Sequence, residues 1–415
     1  MREMKDSGIE WIGKIPHCWN TSKLKYLGQY INGYAFKPEE WGSKGVPIIR
    51  IQDLTGSNDN PNYFEGQIDK KYGVENGDIL ISWAATLDAF IWNKGNGWLN
   101  QHIFKAVPNR RIIDYDFFFW MIKESMKNMN NDNKHGIFMQ HVTLSVFNNF
   151  TIPMPPLAEQ HRIAAFLDRK CAEIDAVLEK TRASIEEYKK LKQAVITQAV
   201  TKGIHGDRPM KDSGIEWIGE IPAEWDVIRV KQLLKERNER SKEGKEEPLS
   251  MSQKVGLVPT KFLESIPNMA SSFVGAKLAY VDDLVFNKLK AHLGVFSVSR
   301  YDGLVSPDYA VYCSTGKSNL KYLEYIFKTP QCIGEFRKKS TGIAAGLMRL
   351  YTEGLFSIYL PYPALSEQEE IAEYLNEKCA GIDALIVKKQ QYLIEIENYK
   401  KSLIYEYVTG KKEVV

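Results

Sequence analysis

The chain has 415 residues, 44% hydrophobic and 26% charged, with a formal net charge of +3. That length allows two or three domains with separate cores, and the composition is that of a soluble globular protein. No apolar run approaches the roughly 20 residues a membrane span needs, and the polar start Met1-Arg2-Glu3-Met4-Lys5-Asp6 is no secretory signal, so a cytoplasmic protein is expected.

Residues 1–19 form the first segment, and most of it recurs. Met4-Lys5-Asp6-Ser7-Gly8-Ile9-Glu10-Trp11-Ile12-Gly13 returns unchanged as Met210 to Gly219, and Ile15-Pro16 and Trp19 return as Ile221-Pro222 and Trp225. A repeat this far apart points to two copies of one domain, not to the short period of a solenoid. Residues 20–155 then read as a mixed α/β domain. Strands are expected over 46–51 and 79–83 and a helix over 116–127, with Gly, Asn and Pro between them.

Pro155-Pro156-Leu157-Ala158-Glu159-Gln160 opens a central helix, placed at 156–203. Its apolar or small residues are spaced alternately three and four apart, as in a coiled coil: Ala164, Leu167, Cys171, Ile174, Leu178, Thr181, Ile185 and Tyr188, with Val195 beyond. Residues 204–225 hold a linker and the repeated block. A second domain, 226–364, carries expected strands at 284–286 and 295–298 and a helix at 317–327. Pro363-Ala364-Leu365-Ser366-Glu367-Gln368 then matches the first helix opening, and the last helix is placed at 365–410. Its seam repeats the first: Ala372, Leu375, Cys379, Ile382, Ile386, Leu393, Ile396 and Leu403, with Lys389 opposite Thr181 and the pair Lys192 and Lys400 interrupting both copies. Ser366 with Glu369 reads as a capping box, and Gly203 and Gly410 as helix stops. The two helices should pack antiparallel, because the first leads away from one domain and the last leads back.

The variable domains keep a common skeleton. Gly97 to His102 sits opposite Gly303 to Asp308, Trp120 to Lys123 opposite Tyr325 to Lys328, and His135-Gly136-Ile137 opposite Thr341-Gly342-Ile343. One fold used twice with different side chains on display is the expectation.

Sequence motifs for catalysis are missing. There is no Gly-x-x-x-x-Gly-Lys-Ser/Thr loop, no Gly-x-Gly-x-x-Gly turn and no Asn-Pro-Pro-Tyr run. The histidines are dispersed, and the five cysteines never stand as Cys-x-x-Cys, so no metal site is expected. Cys171 and Cys379 fall on the helix seam, where a small packing role fits better than nucleophilic chemistry. Pro307-Asp308 reads as a structural turn. The chain reads as a binder and not as an enzyme.

The paired Met-Lys-Asp-Ser-Gly-Ile-Glu-Trp-Ile-Gly-x-Ile-Pro blocks, with Pro-x-Leu-Ala/Ser-Glu-Gln at the helix openings, resemble the specificity subunit of type I restriction-modification systems. The resemblance covers essentially the whole chain. It implies an α+β architecture of two similar mixed α/β target recognition domains joined by two long antiparallel helices that form a coiled coil, with pseudo-two-fold symmetry. It implies that each domain reads one half of an asymmetric bipartite site in double-stranded DNA and that the helices set the gap. It implies a non-catalytic subunit of a DNA adenine methyltransferase and restriction endonuclease complex, with two methyltransferase and two restriction subunits as partners. S-adenosylmethionine, ATP and Mg would then reside on those partners.

Arg, Lys, Asn and Gln supply most base-edge contacts. Residues of these types at strand ends or in polar loops give Arg50, Gln52, Asn100, Gln101 and His135 as candidates in the first domain. In the second they give Lys288, Lys290, His292, Arg337, Lys338 and Lys339, with phosphate contact favoured for the last two. The rival reading is a two-headed coiled-coil scaffold that never touches DNA.

Overall fold

The structure is a computed structural model that describes residues 2–58, 60–132, 142–253, 255–263, 273–342 and 348–414, the side chains of 130–132 excepted. The chain divides into two compact units, one of Met1–Arg182 with Gln391–Val415 and one of Ala183–Gln390.

In the first unit the repeated block forms a hairpin of β1 (Met4–Ile9) and β2 (Gly13–Pro16). A four-stranded antiparallel sheet follows from β3 (Gly28–Asn32), β5 (Ile79–Ser82), β6 (Asp88–Ile91) and β8 (Ile103–Pro108), in the order β3-β8-β5-β6. A second sheet pairs β4 (Val46–Ile49) in parallel with β7 (Gly97–Leu99). Helix α1 (Tyr115–Asp132) packs on β6, and α2 (Leu157–Lys202) starts in this unit.

The second unit repeats the plan. Strands β9 (Met210–Asp212) and β10 (Glu220–Pro222) pair as the hairpin of the second block. Strands β11 (Leu234–Arg237), β13 (Leu284–Asn287), β14 (Phe296–Val298) and β16 (Tyr309–Ser314) form a sheet in the order β11-β16-β13-β14. That is the order of the first sheet. Strands β12 (Leu249–Ser252) and β15 (Gly303–Val305) lie side by side through a parallel bridge from Pro248 to Leu304. Helices α3 (Leu320–Phe327), α4 (Pro330–Lys339) and α5 (Leu365–Val408) follow.

Each unit has one large core, and each core uses the end of a helix that began in the other stretch of chain. Ile9, Ile12, Ile15 and Trp19 of the first block are buried with Leu167 and with Leu403, Ile404 and Val408 from the last turns of α5. Ile218, Ile221 and Trp225 are buried with Ile196, Ala199 and Val200 from the last turns of α2, and with Leu375. Apolar burial of this kind is the main favourable term, on the order of 1.5–3 kcal/mol for each large side chain.

The Glu-Gln pair at each helix opening explains the repeated motifs. Trp19 Nε1 donates to Glu159 Oε2 at 2.9 Å and Arg2 pairs with the same carboxylate; Trp225 Nε1 donates to Glu367 Oε2 at 2.8 Å and Arg208 pairs with that one. The Asp114 amide donates to Gln160 Oε1 at 2.8 Å, while Gln160 Nε2 donates to the Pro155 carbonyl at 2.9 Å. Gln368 does the same for the Asn319 amide and the Pro363 carbonyl, both at 3.0 Å. One dipeptide therefore ties helix, repeated block and variable domain together, and it satisfies the buried indole donors of Trp19 and Trp225.

Leu167, Cys171, Leu178, Ile185, Leu375 and Cys379 are buried, and Ile174, Tyr188, Ile382, Ile386, Leu393 and Ile396 are half-buried. Within the first unit α2 and α5 run antiparallel, since Phe166 meets Tyr407, Asp175 meets Lys400 and Arg182 meets Glu397. Within the second unit Lys192 meets Asp383, and Lys389 lies over the Tyr188 ring at 5.6 Å. The lysines that interrupt both seams are thus accounted for: each ends on an aspartate of the facing helix, at 2.6 Å.

Three local expectations change. The strand expected over 46–51 stops at Ile49, because Ile51–Thr55 is a helical turn ended by Gly56 at φ 74°. The helix expected from 317 starts at Leu320, where Asn319 accepts from the amides of Lys321 and Tyr322. There is no capping box at Ser366: helix α5 begins at Leu365, so Ser366 already lies inside the first turn. Gly203 and Gly410 do stop the helices, at φ 78° and 73°.

Candidate nucleic-acid interface

In the first unit the candidates gather at the carboxyl ends of a parallel strand pair. Strands β4 and β7 pair Ile48 with Trp98 and Ile49 with Leu99, so Arg50 and Asn100 come next in the same register. The Asn100 amide donates to the Ile49 carbonyl at 3.2 Å. This approach is close enough to require Gly33, where a Cβ would lie 2.0 Å from the Asn100 carbonyl oxygen.

Arg50 lies over the Trp41 ring at 4.7 Å, a cation–π contact that holds the guanidinium in place. The nearby Asp53 carboxylate is occupied by the Arg50 amide at 2.8 Å and by Asn58 at 2.6 Å. Gln52 is exposed on the same turn. Gln101 is half-buried, with Nε2 3.4 Å from His102 Nε2. Asn100 differs from the rest: it is buried, 6% exposed, and holds the strand edge. His135 lies outside the described residues.

In the second unit the turn after β13 carries three candidates. The Lys288 ammonium donates to the Pro307 carbonyl at 3.1 Å, which spends part of its hydrogen-bonding capacity on the fold. Lys290 is exposed. His292 is buried, and its carbonyl accepts from Arg337 Nε at 3.4 Å. Arg337, Lys338 and Lys339 are exposed in the last turn of α4, where cations also compensate the helix dipole. Lys338 pairs with Glu335 at 2.8 Å. The structure therefore brings Lys288, Lys290, His292 and Arg337 together around one turn, and places Lys338 and Lys339 beside it. Gln52, Lys290, Arg337, Lys338 and Lys339 are the exposed members of the two sets, and Arg50, Gln101 and Lys288 are half-buried.

Two neighbours of these sets escaped sequence reasoning. Trp41 and Arg349 lie in aperiodic stretches, where nothing in the spacing says what they face. Arg349 Nη2 is 3.2 Å from Asp308 Oδ1.

Metal-ligand groups and the seam cysteines can be placed among the described residues. No three His, Cys, Asp or Glu side chains group to hold a metal there. Burial pushes the Cys171 thiol up to about 11 and raises Cys379 as well, so neither supplies a thiolate at neutral pH. No helix among the described residues is long and apolar enough to cross a membrane.

Residues 16–187 match the family model of the type I restriction modification DNA specificity domain. The whole chain is similar to the type I restriction enzyme EcoBI specificity subunit of Escherichia coli, with 22% identity over 99% of this chain and 90% of that protein. It is likewise similar to the MjaVIII specificity subunit of Methanocaldococcus jannaschii, with 25% identity over 97% of this chain and 94% of that protein. Among solved structures, a chain from work on complex assembly and conformational transition of the type I R-M system matches with TM-score 0.72 and 15% identity, over 96% of this chain and 99% of that one. The HsdS subunit from Thermoanaerobacter tengcongensis matches with TM-score 0.54 and 15% identity, over 96% of this chain and 98% of that one. At such identity the likeness to the solved chains is one of fold.

Proposed function

We propose that this chain, a specificity subunit of the type I restriction-modification family, reads an asymmetric bipartite site in duplex DNA, one half-site with each variable domain. The paired helices set the unread gap and recruit methyltransferase and restriction subunits. S-adenosylmethionine, ATP and Mg act on those partners, and this chain supplies recognition without catalysis.

The observation that carries the reading is the same sheet order built twice with unlike side chains at the same place. The Val142 amide donates to the Trp83 carbonyl and the Leu350 amide to the Lys288 carbonyl, both at 3.0 Å, so Trp83 and Lys288 occupy matching turns. An aromatic residue stands in one and a cation in the other, and two different surfaces suit two different half-sites. A net charge of +3 is no obstacle, because the exposed cations of α4 are local and partner subunits add phosphate contacts.

The test is methylome sequencing of cells that express this chain with its methyltransferase partner. One asymmetric, gapped motif is expected. An active complex that methylates without sequence preference refutes the proposal. A scaffold that never contacts DNA would leave binding of the complex to duplex DNA independent of this chain.

A further inference from the structure

In the second unit three segments far apart in sequence meet at one exposed edge. The turn after β13 brings Lys288, the turn after β15 brings Pro307 and Asp308, and the stretch before Thr352–Phe356 brings Arg349. The Lys288 amide donates to the Asp308 carbonyl at 3.1 Å, and the Leu350 amide to the Lys288 carbonyl at 3.0 Å. Arg349 is also bonded to Thr341 in both directions, at 2.9 and 3.0 Å. The backbones of Asp308 and Arg349 are therefore fixed relative to each other.

On this frame the Asp308 carboxylate holds the Arg349 guanidinium at 3.2 Å, with the side chains 45% and 41% exposed. An ion pair so exposed adds little to stability. What it does is aim the arginine. Two other arginines of this unit are held at more points by carboxylates: Arg237 uses Nε and Nη2 on Asp283, at 2.8 and 3.0 Å, and Arg208 bridges Glu224 and Glu367. Among the described residues Arg349 is held by a carboxylate through one nitrogen, and its side chain is 41% exposed, which leaves donors for a ligand. Such a fork matches the O6 and N7 acceptors of guanine in the major groove. Thr341, its backbone partner, follows closely on Lys338 and Lys339, exposed cations of the kind that contact phosphates.

We propose that Arg349 reads a guanine in the half-site of the second unit and that Asp308 is the positioning residue that orients it. The inference rests on the DNA-reading function proposed above. In the internal alignment the counterpart of Asp308 is His102, which carries no fixed negative charge, so the device belongs to the second half-site alone.

The experiment uses the full chain in complex with its methyltransferase partner. Methylation is measured on duplexes whose half-site positions are randomised one at a time. The wild type should require guanine at one position served by the second unit, with discrimination on the order of 10- to 100-fold. Arg349→Gln should bring that discrimination near unity and leave the other half-site unchanged. Arg349→Lys should keep affinity but lose the preference, because lysine is a point charge without the fork. Asp308→Asn should weaken the preference and Asp308→Glu should recover it, with thermal unfolding unchanged in both. Equal loss of activity on all sequences in Arg349→Gln, with a flatter salt dependence, would make Arg349 a phosphate contact and overturn the inference. Unaltered base preference would overturn it as well. A wild-type complex without any preference would instead overturn the proposed function, so the two failures are distinguishable.

Discussion

Replacing Glu367 with Ala tests whether the repeated motifs act as a fastening. In the wild type its carboxylate accepts from Trp225 Nε1 at 2.8 Å and pairs with Arg208, whose side chain is 15% exposed; Trp225 itself is 1% exposed. Removing the carboxylate leaves the buried indole donor unsatisfied, which costs about 1–3 kcal/mol. Arg208 keeps Glu224 at 2.7 Å, so the loss of its second partner adds only about 1 kcal/mol. A total near 3 kcal/mol is expected for Ala. Glu367→Gln, which retains an oxygen acceptor for the indole, should cost about 1 kcal/mol. Urea unfolding gives the two stability changes, and hydrogen exchange locates them: protection should fall in residues 210–225 and stay unchanged in residues 4–19. If Ala costs no more than Gln, or if protection falls equally in both blocks, the carboxylate is not the fastening and the reasoning fails.

Glu324 offers a pH test. Burial pushes its carboxyl up, but Lys328 and Lys321 outweigh burial and hold it below the ordinary value. A depressed folded-state pKa contributes stability above the unfolded value near 4.3 that is lost as pH falls through the folded one. The acid-unfolding profile of the second unit should therefore flatten in Glu324→Gln, as followed by tryptophan fluorescence. Lys192→Asp should destabilise the helix pairing by at most about 1 kcal/mol, and adding Asp383→Lys should recover most of that in a double-mutant cycle on thermal unfolding. Truncation after Ser402 removes Leu403, Ile404 and Val408 from the core of the first unit. With about 1.5–3 kcal/mol at stake for each, exchange protection should collapse in residues 4–19, although they lie at the opposite end of the chain.

The two long helices, their seam and their glycine stops were visible in spacing alone, because a coiled-coil stripe has a fixed period and Gly takes a left-handed φ without strain. Domain duplication was equally plain from Met4 to Gly13 and their copy. What spacing does not encode is which stretch completes which core. Residues 391–415 close the first unit, and no local pattern in Leu403 or Val408 names Trp19 as a neighbour. Burial is a property of three-dimensional packing, so Asn100 and His292, polar and in loops by sequence, turn out to sit inside. The helix start at Leu365 was legible, but Ser366-x-x-Glu369 only has the composition of a capping box: Ser366 is already helical, and the Glu-Gln pair beside it holds Trp225 and the Asn319 amide.

The sequence by itself therefore determined the duplication, the helical strut elements and the class of chemistry on display, all of which reside in local period and composition. Only the tertiary structure decided which cations remain exposed, that Arg50 rests on Trp41, and that Asp308 and Arg349 meet although 41 positions separate them in the chain. The physical reason is that side-chain encounters over such separations depend on how sheets and turns close, and no short-range propensity carries that information.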